Sequence, residues 1–168
     1  ESVLVQTYRD FELILVNDGS KDGSLAICRE YEQKDPRITV IDKPNGGLSD
    51  ARNAGMAIAS GKYIQFIDSD DFVEPQLLEK CRQKLEETGA DMVIFDIYQY
   101  FLATGKKEII ANTYDASGVY SIRTNPELIV SIQNCAWNKM YKLSLFKDND
   151  IIYPWGCYYE DLGTTYRL

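Results

Sequence analysis

The sequence predicts an α/β fold, a layered sheet with helices on both of its faces. Short apolar segments alternate with amphipathic segments between residues 11 and 96, and this alternation is typical of strands connected by helices. Polar turns follow three of the apolar segments, which is where open α/β sheets bind ligands. The chain has 168 residues, of which 45% are hydrophobic, so one domain with a substantial core is expected.

Four strands and three helices are predicted in the first part of the chain. Short apolar runs predict the strands, at residues 11–16, 37–41, 62–67 and 91–95. Apolar residues at helical spacing predict the helices, at residues 24–34, 48–60 and 75–88. Pro75 suits the first turn of the third helix, Asp71 is predicted to cap this helix, and Gly89 is predicted to end it.

The pattern changes after residue 96. The expected elements are shorter here, with strands in residues 98–110 and 118–122 and a helix over residues 125–132. From Asn134 the sequence is aromatic-rich and irregular, up to a helix near Glu160. Residues 1–6 resemble the end of a helix, so we expect that a strand normally preceding them is absent from this sequence.

The composition excludes several classes of function. The net charge of −8 and the pI near 4.6 argue against nucleic-acid binding, because an acidic protein repels a phosphate backbone. The chain has no histidine, which excludes histidine bases and histidine-bound zinc. The four cysteines form no CxxC pair, and no segment has the character of a signal peptide or a bilayer-spanning helix. We therefore expect a reduced, cytoplasmic protein with buried thiols.

Asp68 and Asp70 follow the third predicted strand and are candidates for a metal site. Alternate residues of an extended segment point the same way, so the two carboxylates can face one small target. They repel each other unless a cation lies between them, and Mg²⁺ or Mn²⁺ suits one or two carboxylates together with phosphate oxygens and water. The alternative is a solvated turn, which we prefer for Asp71 alone.

Asp18 and Arg52 are candidate ligand-binding residues. Asp18 ends the first strand in a turn-forming sequence, so it either shapes the turn or accepts a hydrogen bond from a nucleotide base. Arg52 lies in the helix over residues 48–60, where Ala51 and Ile58 are predicted to face the core. Arg52 then lies on the flank of that helix, either at a solvent-exposed start or directed towards the base or the phosphates.

Glu160 and Asp161 open the last predicted helix. Acidic residues are frequent at a helix start, but a carboxylate is also the natural general base in a chain without histidine. Five aromatic residues precede or adjoin this pair and belong either to the core or to a sugar-facing wall: Trp137, Tyr153, Trp155, Tyr158 and Tyr159.

The ordered set of these motifs resembles the inverting family 2 glycosyltransferases of the GT-A fold. The matching segments are Leu13–Ser24, Asn45–Gly55, Asp68–Asp71, Trp137–Lys142 and Glu160–Asp161. The resemblance covers nearly the whole chain and rests on the order and spacing of all the pieces. It implies a GT-A (Rossmann-like) layered sheet with helices on both faces.

The resemblance also implies a role for each candidate residue. Asp18 would contact the nucleotide base, Asp68 the ribose, and Arg52 would lie near the nucleotide. Asp70 would bind Mg²⁺ or Mn²⁺, and Asp161 would be the catalytic base. The substrates would be a nucleotide-diphosphate sugar and a carbohydrate or lipid-linked acceptor, in polysaccharide, capsule or lipopolysaccharide biosynthesis. The Trp137–Lys142 segment belongs to the likeness, but its chemistry is not assigned.

A single domain over residues 1–168 is expected, with a nucleotide-binding half at 1–96 and an acceptor-side half at 97–168. The family usually begins with a strand and a turn that line the base pocket, and this segment is expected to be missing here. Further acceptor-side helices are expected beyond residue 168. Peripheral association with the inner face of a membrane through such segments is left open.

Three rival functions remain beside this one. A haloacid-dehalogenase-type phosphatase also places Asp-x-Asp at a strand end, but Phe72 stands where that family has Ser or Thr. A sugar nucleotidyltransferase requires a glycine-rich phosphate loop near the start. A non-catalytic, transferase-like domain would bind a nucleotide or a partner only, and the intact Asp70 and Asp161 argue against it.

Overall fold

A computed structural model describes residues 1–112, 114–115 and 118–168. Its strands are β1 (Leu13–Asp18), β2 (Ile38–Lys43), β3 (Tyr63–Gln65), β4 (Met92–Ile94), β5 (Ile97–Phe101), β6 (Lys106–Ile110) and β7 (Lys139–Lys142). Its helices are α1 (Ser24–Lys34), α2 (Leu48–Ile58), α3 (Leu77–Thr88), α4 (Leu128–Ser131), α5 (Leu143–Lys147) and α6 (Glu160–Thr165). The predicted mixture of strands and helices is confirmed. No helix in the described ranges is both long and apolar enough to span a bilayer.

Strands β1 and β2 form a parallel pair that brings Asp18 beside Lys43. Their register runs from Leu13 opposite Ile38 to Asp18 opposite Lys43. Parallel neighbours require a crossover connection, and α1 supplies it while packing against both strands. The carboxyl ends of the two strands therefore lie side by side and carry an acid and a base of opposite charge.

A second sheet places β7 between β3 and β4, antiparallel to both. Residues 139–142 were expected to be irregular, and that expectation was wrong. The apolar signal of this strand consists of Met140 and Tyr141 alone, flanked by Lys139 and Lys142. The strand is nevertheless buried over its first three residues, because it pairs on both edges with strands more than forty residues earlier in the chain.

The segment after β4 is only partly as predicted. Strands β5 and β6 form the expected antiparallel hairpin. The strand expected at residues 118–122 is not formed, since those residues are exposed and lack strand pairing. The helix expected over 125–132 is reduced to α4, a single turn. Helix α5 was not predicted at all.

Helix α2 buries a different face from the predicted one. Its buried residues are Ser49, Arg52 and Met56, whereas Ile58 is 48% exposed. The three buried positions follow i, i+3, i+7 spacing, so they form one helical face. Arg52 thus lies towards the interior instead of on the flank.

The start of α3 also differs from the prediction. The helix begins at Leu77, and Asp71 does not cap it. Instead Gln6, which is fully buried, accepts a hydrogen bond from the Leu78 amide at 3.0 Å and donates to the Glu74 carbonyl at 2.8 Å. Residues 1–6 form turns, not a helix end. The side-chain oxygen of Gln6 accepts from an N–H group that lacks a partner within the first turn of α3.

Two hydrophobic clusters support these elements. The first surrounds Tyr141, Phe146 and Tyr153, which contact the Phe66 ring edge-on at centroid distances of 5.3–6.4 Å. The second lies under α3 and contains Cys81, whose burial raises the pKa of its thiol to about 12. Burial was predicted for the cysteines, and Cys81 fulfils it, whereas Cys157 is exposed.

The turn after β1 yields a prediction about Gly19. This residue has a φ of +71°, and a Cβ atom there would lie 2.7 Å from the Asn45 backbone nitrogen. We expect Gly19→Ala to lower the free energy of unfolding by about 1–3 kcal/mol, because both strain and the clash oppose the methyl group.

Urea denaturation measures this loss, with Gly163→Ala as the control. A Cβ at Gly163 would meet only Pro154 Cγ at an ordinary 3.7 Å, inside helix α6. The control is expected to be neutral or slightly stabilising. Equal destabilisation by the two variants would contradict the prediction.

Candidate active site

Asp18 organises the glycine loop at the carboxyl end of β1. Its carboxylate accepts hydrogen bonds from the amides of Gly46 at 2.9 Å and Gly47 at 2.7 Å, and it pairs with the ammonium group of Lys43. Burial opposes ionisation of Asp18, but Lys43 and the two amides outweigh it, so the pKa of this carboxyl is lowered. Asp18 is therefore ionised at neutral pH and already holds several donors.

Lys43 extends this arrangement to helix α2. Besides Asp18, its ammonium group pairs with the carboxylate of Asp50 in the first turn of that helix. The indole N–H of Trp155 donates to the other oxygen of Asp50 at 2.9 Å. The set formed by Asp18, Lys43 and Asp50 is called the Asp18 network below, and it links the strand ends to the exposed ring of Trp155.

Two residues further along α2, Arg52 joins three carboxylates. Its guanidinium lies 2.5 Å from Asp161 Oδ1, 3.1 Å from Glu160 Oε1 and 3.4 Å from Asp68 Oδ1. The Arg52 side chain is only 6% exposed, whereas the Asp68 side chain is 32% exposed. Arg52, Asp68, Glu160 and Asp161 form the Arg52 cluster, which therefore reaches from the interior to the surface.

The packing around Arg52 fixes its direction. The guanidinium carbon lies 5.1 Å from the centroid of the buried Tyr153 ring, within the range of a cation–π contact. The neighbouring Asn53 holds the backbone of Tyr153 from both sides: its amide donates to the Tyr153 carbonyl at 2.8 Å, and its oxygen accepts the Tyr153 amide at 2.8 Å. Asn53 therefore has a structural contact that the predicted outward orientation did not anticipate.

Both carboxylate oxygens of Asp161 are engaged. Oδ1 faces Arg52, and Oδ2 accepts a hydrogen bond from the Ala136 amide at 3.2 Å. Burial raises the pKa of this carboxyl, and although Arg52 and the Ala136 amide lower it, the net shift is upward. A carboxylate with a raised pKa is a better proton acceptor than an ordinary one, which is what a general base requires.

The acidic turn after β3 supplies carboxylate oxygens, the ligand type that a hard divalent cation prefers. Burial, followed by the charges of Asp70 and Asp68, raises the pKa of the Asp71 carboxyl, so three negative groups crowd this turn. In the described parts of the chain, no group of three or more ligating side chains has the geometry to hold a metal ion alone. One or two carboxylates completed by phosphate and water oxygens remain a fit for Mg²⁺ or Mn²⁺.

The structure thus brings together three of the five predicted site residues. Arg52, Asp68 and Asp161 share one cluster, Asp18 belongs to the neighbouring network, and Asp70 lies exposed two residues after Asp68. Their individual roles stay predictions.

The family is decided by a comparison over most of the chain. The family model described as Glycosyl transferase family 2 matches residues 1–149. The chain belongs to glycosyltransferase family 2. The resemblance seen in the motifs is thereby confirmed.

Curated relatives agree with this family. Glycosyltransferase GlyA of Streptococcus pneumoniae serotype 4 is 34% identical over 155 residues, which cover 88% of this chain and 22% of GlyA. The minor teichoic acid biosynthesis protein GgaB of Bacillus subtilis is 37% identical over 136 residues, covering 78% of this chain and 15% of GgaB. This family 2 chain therefore spans only a minor part of each of these relatives.

A solved structure supports the fold. S. aureus TarS 1–349 in complex with UDP-GlcNAc superposes with a TM-score of 0.82 at 25% identity, covering 99% of this chain and 47% of that one. The GT-A fold expected for a family 2 chain is confirmed by this match.

Several contacts of the site were missed in the sequence. Lys43 stands one strand away from Asp18 in the parallel register, and strand pairing would have revealed it. Ala136 acts through its backbone amide, for which residue type gives no signal. The aromatic residues near the site differ in burial. Tyr153 belongs to the core, with 1% exposure, whereas Trp155 and Tyr158 are exposed, at 60% and 95%.

The Arg52 cluster predicts a pH-dependent loss of stability in Arg52→Met. Removing the cation leaves three partly buried carboxylates without their counter-ion, so the free energy of unfolding at pH 7 is expected to fall by about 2–4 kcal/mol. Arg52 lowers the pKa of Asp161, so its contribution is present when the carboxylates are ionised and is lost as the pH falls and they take up protons.

Urea denaturation at pH 7 and at pH 4 measures this difference. The control is Arg29→Met, which breaks an exposed pair with Glu32 on α1. An exposed pair contributes below about 1 kcal/mol, so the control is expected to change little. A loss for Arg52→Met that does not shrink on acidification would contradict the electrostatic explanation.

Proposed function

We propose that this chain is the catalytic part of an inverting glycosyltransferase that uses a nucleotide-diphosphate sugar. The observation that carries the proposal is Asp161, a half-buried carboxylate with a raised pKa, held between Arg52 and the Ala136 amide. It lies in one cluster with Asp68, a residue of the acidic strand end. A positioned base beside a donor site is the minimum that transfer to a hydroxyl group requires.

The proposed reaction is one in-line displacement at the anomeric carbon. The acceptor oxygen forms a bond to that carbon, and the bond from the carbon to the diphosphate oxygen breaks with its electron pair. Asp161 takes the proton of the acceptor hydroxyl, and the nucleoside diphosphate leaves. Attack opposite to the leaving group inverts the configuration of the sugar.

The donor is proposed to lie along the carboxyl ends of β1 and β3. Asp18 is assigned to the nucleotide base and Asp68 to the ribose, with Arg52 near the nucleotide. The UDP-GlcNAc complex of TarS supports a nucleotide-sugar donor for a chain of the same fold. Because the Asp18 carboxylate already binds Lys43 and two amides, contact with a base would use its remaining lone-pair positions.

Asp70 is proposed to hold Mg²⁺ or Mn²⁺ at the exposed turn. When bound, the metal ion neutralises negative charge on the leaving diphosphate. A chain with a net charge of −8 needs such a counter-ion, since three carboxylates at this turn would otherwise repel the donor phosphates.

The acceptor is proposed to be a carbohydrate or a lipid-linked sugar. Trp155, Tyr158 and Tyr159 are exposed near Glu160 and Asp161, and aromatic faces pack well against the C–H faces of sugars. The name of the relative GgaB, minor teichoic acid biosynthesis protein, supports a cell-surface polymer as the product class.

The base assignment predicts a large effect of Asp161→Asn on turnover. The asparagine preserves shape but cannot accept the proton, so kcat is expected to fall by about 10²–10⁴ while the donor KM changes little. The pKa of the wild-type base is raised. On acidification, kcat is therefore expected to fall around a pH above the ordinary pKa of an aspartate.

Both effects are measured as turnover of a UDP-sugar that the wild type accepts as a donor. Asp10→Asn, a change at an exposed residue, is the control. Wild-type turnover in Asp161→Asn would rule out its role as the base. A wild type that binds a nucleotide but transfers no sugar would favour the non-catalytic alternative.

The metal assignment predicts cation-dependent nucleotide binding. Calorimetry with UDP is expected to show tighter binding when Mn²⁺ is present, and Asp70→Asn is expected to remove most of that gain because one ligand is lost. Glu87→Gln, an exposed change on α3, is the control. Identical binding with Mn²⁺ and with EDTA would overturn the metal proposal.

A further inference from the structure

Lys139 is a lysine with no solvent exposure at the start of β7. Its ammonium group donates to the Cys135 carbonyl at 2.7 Å, to Asn138 Oδ1 at 2.7 Å and to the Gln133 carbonyl. None of the ion pairs among the described residues includes Lys139. The buried cation is thus held by amide oxygens alone.

A buried ammonium of this kind is unfavourable unless its neighbours compensate for lost hydration. Burial lowers the pKa of Lys139 to about 8. An apolar residue at the same strand position would avoid this cost. The position therefore points to a task that needs a hydrogen-bond donor or a positive charge.

The contact with Cys135 connects Lys139 to Asp161. The Cys135 carbonyl and the Ala136 N–H belong to one planar peptide group and point in opposite directions. Lys139 binds the carbonyl end of this group, and Asp161 Oδ2 accepts from the N–H end at 3.2 Å. A cation on the carbonyl oxygen polarises the peptide, which strengthens the N–H as a donor.

We propose that Lys139 is a positioning residue for Asp161, acting through the peptide group between Cys135 and Ala136. The proposal rests on the proposed function of Asp161 as the base. Lys139 orients that peptide, and the peptide orients the carboxylate from the side opposite Arg52. This role assigns a function to Lys139, the first residue of β7, within the Trp137–Lys142 motif.

The charge environment fixes the sign of the expected effect. The groups that interact electrostatically with Asp161 or with Lys139 come from several elements: Arg52 from α2, Cys135, Tyr141 from β7, Tyr153 and Glu160. Asp68, from the turn after β3, pairs with Arg52 in the same cluster. Lys139 and the Ala136 amide both favour ionised Asp161. Loss of Lys139 therefore raises the pKa of Asp161 further.

The test compares Lys139→Met with Lys142→Met. Methionine keeps the length and removes the donors. Lys142 lies on the same strand and also donates to a carbonyl, that of Gly89 at 2.8 Å, but it has no contact with the Arg52 cluster. Lys139→Gln is a second variant. It removes the charge but keeps an N–H donor, so it lies between the wild type and Lys139→Met.

The first readout is the Asp161 carboxyl pKa, measured by ¹³C NMR with labelled aspartate and assigned by Asp161→Asn. Lys139→Met is expected to raise this pKa, Lys139→Gln to raise it less, and Lys142→Met to leave it unchanged. This readout needs no transfer activity, so it tests the inference even if the wild type transfers no sugar. In that case the proposed function fails separately.

The second readout is the split between kcat and KM. Lys139→Met is expected to lower kcat roughly tenfold to a hundredfold, as a displaced catalytic group does, with donor KM within about twofold. An unchanged Asp161 pKa in a folded Lys139→Met protein would overturn the proposal. So would failure of both Lys139 variants to fold while Lys142→Met folds, since Lys139 would then serve the core alone.

Discussion

The buried guanidinium of Arg52 is the constraint on which the site depends. A cation at 6% exposure requires compensation, and the chain provides three carboxylates for it. Asp161 is 109 residues away in sequence, so the ion pair joins α2 to the far end of the chain. The acidic turn, helix α6 and the Tyr153 ring all lie around this one charge.

This constraint explains why the predicted face of α2 was wrong. Hydrophobic spacing favours Ala51 and Ile58 as core positions, and the criterion treats an arginine as a surface residue. The interior beside α2 is not purely apolar, because it contains the partners of Arg52. Local periodicity carries no information on carboxylates that arrive from the end of the chain, so Arg52 was assigned to the flank.

Other parts of the fold and site were accessible from the sequence. Strands β1 and β2 and helices α1 and α2 follow from local apolar patterns. Asp18 and Asp68 were singled out by their positions at strand ends, Arg52 by its place in the second helix, and Asp161 by the resemblance to the family. Strand β7 was not accessible, since its two central apolar residues give a weak signal and its pairing is wholly long-range. The burial of Lys139 follows from that pairing and was missed with it.

Asp161, the proposed base, is held in a fixed orientation and remains ionisable. Burial raises its pKa, which improves its basicity, but burial alone neither favours the charged form nor orients the carboxylate. Arg52 on one oxygen and the Ala136 amide on the other lower the pKa part of the way back and define the orientation of the carboxylate. Each contact leaves a lone-pair position open on its oxygen. The same two groups that hold Asp161 in place therefore keep it available to accept a proton.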